Sequence, residues 1–220
     1  MFMSKVLLDQ DNIEKISDLT HLGAYHNWVE SSFPEEYAKH PNRRLRHLWR
    51  MDEDSAGRKY LLVVSQNYPD ITGLEKYGIK GSAKVKEYDD FLSSIDNGDS
   101  MQFRLVTNPR YKSRGHKRVE RVAKGQINWL LKRSEKNGFE IYKDPKKHGK
   151  PVVSVNKQEW LPYFHDIKGE IHKMDLLLVT FDGILIVKNA EKFRKMLTTG
   201  LGSEKAYGSG LMTVASIAIY

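Results

Sequence analysis

Met101-Gln-Phe-Arg-Leu-Val-Thr107 alternates apolar and polar side chains almost residue by residue, the period of a strand with one buried face. The segments after it decide the fold. Ile127, Leu130, Leu131 and Ser134 fall at helical spacing, so a helix is expected over Ile127–Phe139. Val152–Val155, Trp160–Asp166, Met174–Phe181 and Gly183–Val187 read as strands, with Asp182-Gly183 as the turn signal between the last two. A short basic helix over Ala190–Thr198, a glycine-rich loop from Gly200 to Gly210 and a last strand over Leu211–Ile219 complete the order βαββαβ.

The first half gives the same order. Met3–Asp9 reads as a strand, and Trp28, Val29, Phe33 and Tyr37 suit one face of a helix over Tyr25–Tyr37 that Pro34 interrupts or ends. Arg46–Met51 and Lys59–Ser65 form an expected hairpin around the polar turn Asp52–Gly57, followed by a short helix near Leu74 and a strand over Ala83–Tyr88. Two successive split βαβ units imply an α+β protein of two tandem ferredoxin-like domains, with a boundary near Asn97-Gly98: 1–97 and 98–220. That architecture is common among RNA-binding proteins but serves many other purposes.

The chain has 220 residues, net charge +8 and no cysteine. The last point excludes disulfides, thiolate metal sites and cysteine nucleophiles together. No apolar run approaches the roughly 18 to 20 residues of a membrane helix, and the start, MFMSKVLLDQDN, lacks the basic and apolar regions of a secretory signal. A cytoplasmic protein without a membrane partner is expected. The positive charge is local: Asn108–Lys150 holds 14 Lys or Arg against 4 Asp or Glu, a local +10 that leaves about −2 for the rest. A patch of that kind points to a polyanion.

The loop Gly200-Leu-Gly-Ser-Glu-Lys-Ala-Tyr-Gly-Ser-Gly-Leu211 is neither a Walker A loop nor a dinucleotide fingerprint, for it lacks Lys-Ser/Thr after its last glycine and has Lys205 where the fingerprint needs glycine. Its pattern G-x-G-x-x-K-x-Y-G-x-G-L, just before a final strand, resembles the C-terminal signature of the CasE family of CRISPR RNA-processing endoribonucleases. Three more segments agree in order: AYHNWVESSFP (24–34), RHLWRMD (46–52) and FRLVTNP (103–109). The resemblance implies two ferredoxin-like domains, recognition of a CRISPR repeat RNA hairpin, cleavage at its 3′ side, and retention of the product with the other subunits of the Cascade complex. The isolated chain is expected to be a monomer.

RNA cleaves itself when a 2′-OH is deprotonated and aimed at the adjacent phosphate while the 5′-oxygen is protonated as it leaves. The products are a 2′,3′-cyclic phosphate and a 5′-hydroxyl, and no cofactor or metal is required. Histidine, with an ordinary pKa near 6.5, suits either proton transfer. His26 occupies the position that the resemblance makes catalytic; by itself a histidine beginning a helix reads as a cap or a surface residue. Tyr25 would orient the phosphate or the 2′-OH, or else pack in the core: if both residues are helical it points about 100° away from His26, and the family's tyrosine falls where Gly23 stands. Lys205, or an arginine of the Arg43-Arg44-Leu45-Arg46 run, would stabilise the phosphorane.

For RNA binding the expected residues are Arg44 and Arg46, then Arg110, Lys112, Arg114, Lys117 and Arg118, then Lys146, Lys147 and Lys150, and the loop glycines Gly200, Gly202, Gly208 and Gly210. Duplex RNA is held mainly through phosphates and shape, unless a slender basic element enters its deep groove; the stretch from Lys143 to Lys150 is such an element or a disordered lysine loop. A metal site is not expected, since there is no His-Glu-x-x-His and the spacing of His21 and His26 puts them on one face of neither a helix nor a strand. The competing readings are a non-catalytic RNA-binding subunit and a metal-dependent nuclease.

Overall fold

The computed structural model describes residues 1–39, 45–167 and 169–217, without the side chains of 37–39 and 165–167. Its elements are, in order, β1 (Phe2–Leu7), α1 (Ile13–Ile16), α2 (Leu22–Ser31), α3 (Pro34–Lys39), β2 (Leu48–Glu53), β3 (Lys59–Ser65), α4 (Ile71–Leu74), β4 (Lys84–Glu87), α5 (Asp89–Ser93), β5 (Ser100–Thr107), β6 (Arg110–Ser113), β7 (His116–Val119), α6 (Ala123–Ser134), β8 (Phe139–Ile141), β9 (Lys143–Asp144), β10 (Lys150–Pro151), β11 (Val153–Ile167), β12 (Glu170–Val187), α7 (Ala190–Thr199) and β13 (Met212–Ser216). They cluster into two compact units. One comprises Met1–Asp89, Leu161–Leu176 and Lys205–Gly208; the other comprises Asp90–Trp160, Leu177–Glu204 and Ser209–Tyr220.

In the first unit the strands pair antiparallel in the order β2-β3-β1-β4, the ferredoxin-like arrangement in which the first and third strands are central. Its core is made by Val6, Leu61, Val63 and Val64 from the sheet, Trp28 and Val29 from α2, and Phe33 and Leu74. The helix expected over Tyr25–Tyr37 is two helices. Ser32 ends α2, its hydroxyl donating to the Trp28 carbonyl, and Pro34 opens α3 at the first helical position, where its missing N–H costs nothing. Since α2 begins at Leu22 rather than at Tyr25, His26 lies in the helix interior and not at its start.

In the second unit the order is β11-β12-β5-β13, with β8 on the same edge of β12 as β11. Taken as β5, α6, β8, β12, α7 and β13, it is the same ferredoxin-like fold. The helix expected over Ile127–Phe139 starts earlier and stops at Ser134, because a 3₁₀ turn over Glu135–Asn137 leads to Gly138 in the left-handed region and Phe139 already pairs with Val187. The expected turn at Asp182-Gly183 is absent: both residues lie inside β12, opposite Arg104 and Phe103 of β5. Val152–Val155 and Trp160–Asp166 likewise fall almost wholly in the single strand β11.

Candidate active site

On α2, His26 and Glu30 are one turn apart and so share a face; the His26 ring nitrogen Nδ1 is 3.9 Å from a Glu30 carboxylate oxygen. The His26 side chain is 23% exposed, open enough to meet a ligand. The 3₁₀ turn Lys205–Tyr207, also part of this unit, packs on α2 and sets the Tyr207 ring 6.3 Å from the His26 ring. That turn is locked from below by Trp49, whose indole N–H donates to the Ala206 carbonyl. Gly208 has φ +73°, and a Cβ there would stand 2.9 Å from the Trp49 ring. Glycine at 208 is therefore a condition for holding Lys205 and Tyr207 against α2.

Charges at this turn are perturbed by their surroundings. Burial and the nearby positive charge of Arg46 both push the Lys205 ammonium below the usual lysine range. Burial, with Tyr163 beside it at 4.8 Å between ring centroids, pushes the Tyr207 phenol up. Tyr25 packs inward, stacked on Trp49 at 6.0 Å and 18° and tilted against Trp28, and burial raises its pKa as well. The tyrosine that faces His26 is instead Tyr207, a member of the glycine-loop motif to which spacing alone assigns no role. Arg43 and Arg44 lie outside the described residues; Arg46 is exposed.

The second unit carries the basic stretch as two small hairpins. β6 and β7 are joined by Arg114 (φ 49°) and Gly115 (φ 80°), the double left-handed signature of a type I′ turn. Lys112, Arg114, Lys117 and Arg118 belong to this hairpin, and all four are exposed. Arg110, at its base, is instead ion-paired with Glu204, and its carbonyl accepts hydrogen bonds from the Trp129 indole and from Arg133. β9 and β10 form the other hairpin, where Lys146, Lys147 and Lys150 are exposed and Asp144 caps the Lys146 amide. The stretch from Lys143 to Lys150 is thus an ordered element.

Within the glycine-rich loop, Gly200, Gly208 and Gly210 are buried and Gly202 is exposed. The loop is pinned to the end of β5: the Thr107 hydroxyl donates to the Leu201 carbonyl, the Asn108 amide donates to the Ser209 hydroxyl, and Gly210 donates to the Val106 carbonyl. Segment 103–109 is thereby explained as the seat of the loop, and segment 46–52 by His47, Trp49 and the buried Arg50–Asp52 pair at 2.6 Å.

The comparisons with known proteins bear on the whole chain. A family model described as CRISPR associated protein matches residues 1–216. CRISPR-associated endoribonuclease Cse3 of Thermus thermophilus is 26% identical over 221 residues, covering 98% of this chain and all of that protein. A solved structure of CRISPR endoribonuclease Cse3 bound to a 19-nucleotide RNA superposes with a TM-score of 0.78 at 23% identity, over 98% of this chain and 100% of that one. A chain of a CRISPR RNA-guided surveillance complex, pre-nicking, gives a TM-score of 0.67 at 20% identity, over 99% and 100% of the two chains. These structures have the same tandem ferredoxin-like fold. With its family model spanning nearly every residue, the chain belongs to the CRISPR associated protein family.

Proposed function

We propose that this chain is a metal-independent endoribonuclease that binds the repeat hairpin of CRISPR precursor RNA and cuts it at the 3′ side. The observation that carries this is His26: a partly exposed imidazole in a helix interior, with a carboxylate on one side and the Lys205–Tyr207 turn on the other. In the reaction the 2′-oxygen forms a bond to phosphorus and the P–O5′ bond breaks. One proton leaves the 2′-OH and one reaches the 5′-oxygen, and His26 carries out one of these transfers. Lys205 meets the charge that builds on the phosphorane. Because Arg46 and burial both oppose its ammonium, an arriving phosphate relieves the repulsion instead of adding a cost.

Binding is assigned to the cations of the two hairpins, Lys112, Arg114, Lys117 and Arg118 on one and Lys146, Lys147 and Lys150 on the other, together with Arg46 and the exposed Gly202. Retention of the cut RNA as a subunit of a surveillance complex is part of the same reading, supported by the likeness to Cse3 and to the surveillance-complex chain. The test incubates the protein with a synthetic repeat hairpin in excess EDTA, beside His26→Ala and beside RNA carrying a 2′-deoxy nucleotide at the mapped cut. Cutting that needs both the 2′-OH and His26 is the expected result, with a 2′,3′-cyclic phosphate on the product. Tight binding with no cutting would make the chain a non-catalytic RNA-binding subunit; loss of cutting in EDTA would make it a metal-dependent nuclease.

A further inference from the structure

Behind His26 lies a run of polar groups that the cleavage reaction does not use directly. The His47 ring, only 2% exposed and stacked on Phe33 at 3.9 Å, sits between two carboxylates. Its Nδ1 is 2.9 Å from Glu30 and its Nε2 is 3.2 Å from Glu36. Glu36 also accepts a 2.8 Å hydrogen bond from the Asn67 side-chain amide. Both carboxylates are about nine-tenths buried.

Glu30 is costly where it stands. A buried carboxylate loses its hydration, and at the penultimate residue of α2 it faces the negative end of the helix dipole. The Glu30 carboxylate also reaches toward His26, 3.9 Å from Nδ1.

We propose that Glu30 is a positioning residue for the reaction: held by His47, its carboxylate fixes the His26 ring and supplies the negative charge that sustains the imidazolium formed there during proton transfer. The inference rests on the reading of His26 as the proton-transfer group. Among the described residues, the charged and titratable groups on the elements around it are these. The 205–207 turn brings Lys205 and Tyr207, the segment entering β2 brings Arg46 and His47, α3 brings Glu36, β11 brings Tyr163 against Tyr207, and α2 itself carries Tyr25. α4, which packs on α2 by accepting hydrogen bonds from Trp28, is Ile-Thr-Gly-Leu and brings none. Lys205, on the turn packed against α2, works against a cationic His26, and the charge of Glu30 favours it.

The test follows the His26 ring by NMR through a pH titration of the full, RNA-free chain, alongside single-turnover cleavage of the repeat hairpin across the same pH range. In Glu30→Gln the His26 midpoint is expected to fall by about one pH unit, the size of shift an opposite charge at this range produces. The inflection of the cleavage profile moves down with it, and the saturating rate drops about tenfold, within the range of acid–base effects, at unchanged RNA affinity. Glu36→Gln, in the same buried network but one ring further away, is expected to lower thermal stability without moving the His26 midpoint. Glu30→Asp keeps the charge but draws it back, and is expected to give a smaller downward shift; it serves if Glu30→Gln does not fold. An unmoved midpoint in a folded Glu30 variant, or an equal shift in Glu36→Gln, overturns the positioning role while leaving His26 as the catalytic residue. A wild-type chain that leaves RNA intact, with the midpoint shift present, overturns the cleavage reading and the positioning role with it, leaving only electrostatic coupling between the two side chains.

Discussion

The face of α2 and the β6–β7 hairpin use charge in opposite ways. Around α2, Glu30, His47 and Glu36 are buried and matched at distances of 2.9 to 3.2 Å, so the geometry presented to His26 is set by the fold itself. On the hairpin, Arg114, Lys117 and Arg118 are exposed to solvent, and register sets Lys112 directly opposite Lys117. Like charges facing one another across a ladder destabilise it, a cost that a bound polyanion, as proposed above, would relieve. Chemistry at a single bond needs groups already in place; grip on a phosphate backbone needs only charge that releases counterions.

The largest expected effect is on rate. His26→Ala should reduce cleavage in the bound complex by about 10² to 10⁴, the usual worth of a proton-transfer group, with the dissociation constant unchanged. Reversing Lys146, Lys147 and Lys150 to Glu should do the converse. Binding weakens, and the dependence of log affinity on log salt becomes shallower by about 0.7 to 0.9 for each phosphate no longer neutralised, while the rate at saturating protein stays near wild type. Filter binding across a salt series and single-turnover kinetics measure both. An unchanged slope would take the β9–β10 hairpin out of the interface, and a rate that fell along with affinity would break the division of labour.

Next in size is a structural effect on the site. Gly208→Ala places a Cβ 2.9 Å from the Trp49 ring on a backbone at φ +73°, so overpacking and left-handed strain coincide. A loss of about 1 to 3 kcal/mol in stability is expected, read by thermal or urea denaturation. Gly202→Ala, at an exposed glycine of the same loop, is the useful companion. It too is strained at φ +98°, but its close neighbour is the Thr107 hydroxyl rather than an aromatic ring, and it leaves the Trp49–Ala206 hydrogen bond untouched. Cleavage should therefore suffer more per unit of stability lost in the 208 variant.

Much of this was legible in the sequence because it comes from period and punctuation. The alternation in Met101–Thr107 is β5, the Lys59–Ser65 run is β3, and Pro34 does divide the helix. The motif G-x-G-x-x-K-x-Y-G-x-G-L correctly marked a special loop, but its spacing does not reveal that most of its glycines are buried, nor that Tyr207 approaches His26. Glu30 and His47 lie within segments 24–34 and 46–52, yet nothing in either segment announces their pairing. They are 17 residues apart and meet only when β2 is laid into the sheet beside α2. Side chains that act through partners distant in sequence leave no local signature.

Asp182-Gly183 shows the same limit from the other direction, and gives the smallest effects. The pair has the composition of a tight turn, yet it continues β12. Glycine is needed there for room, since a Cβ would fall 2.5 Å from the Val152 carbonyl and 3.0 Å from the Phe103 ring. Asp182 is held across the ladder, where it accepts from Arg104 Nε at 2.7 Å and from Arg104 Nη2 at 3.0 Å. Gly183→Ala should therefore destabilise by about 1 to 3 kcal/mol through crowding against backbone. Asp182→Asn should cost under about 1 kcal/mol, because the Arg104 side chain is 42% exposed and solvent screens such pairs. If the two costs came out reversed, the dipeptide would owe its place in the strand to the ion pair rather than to the space that only glycine leaves.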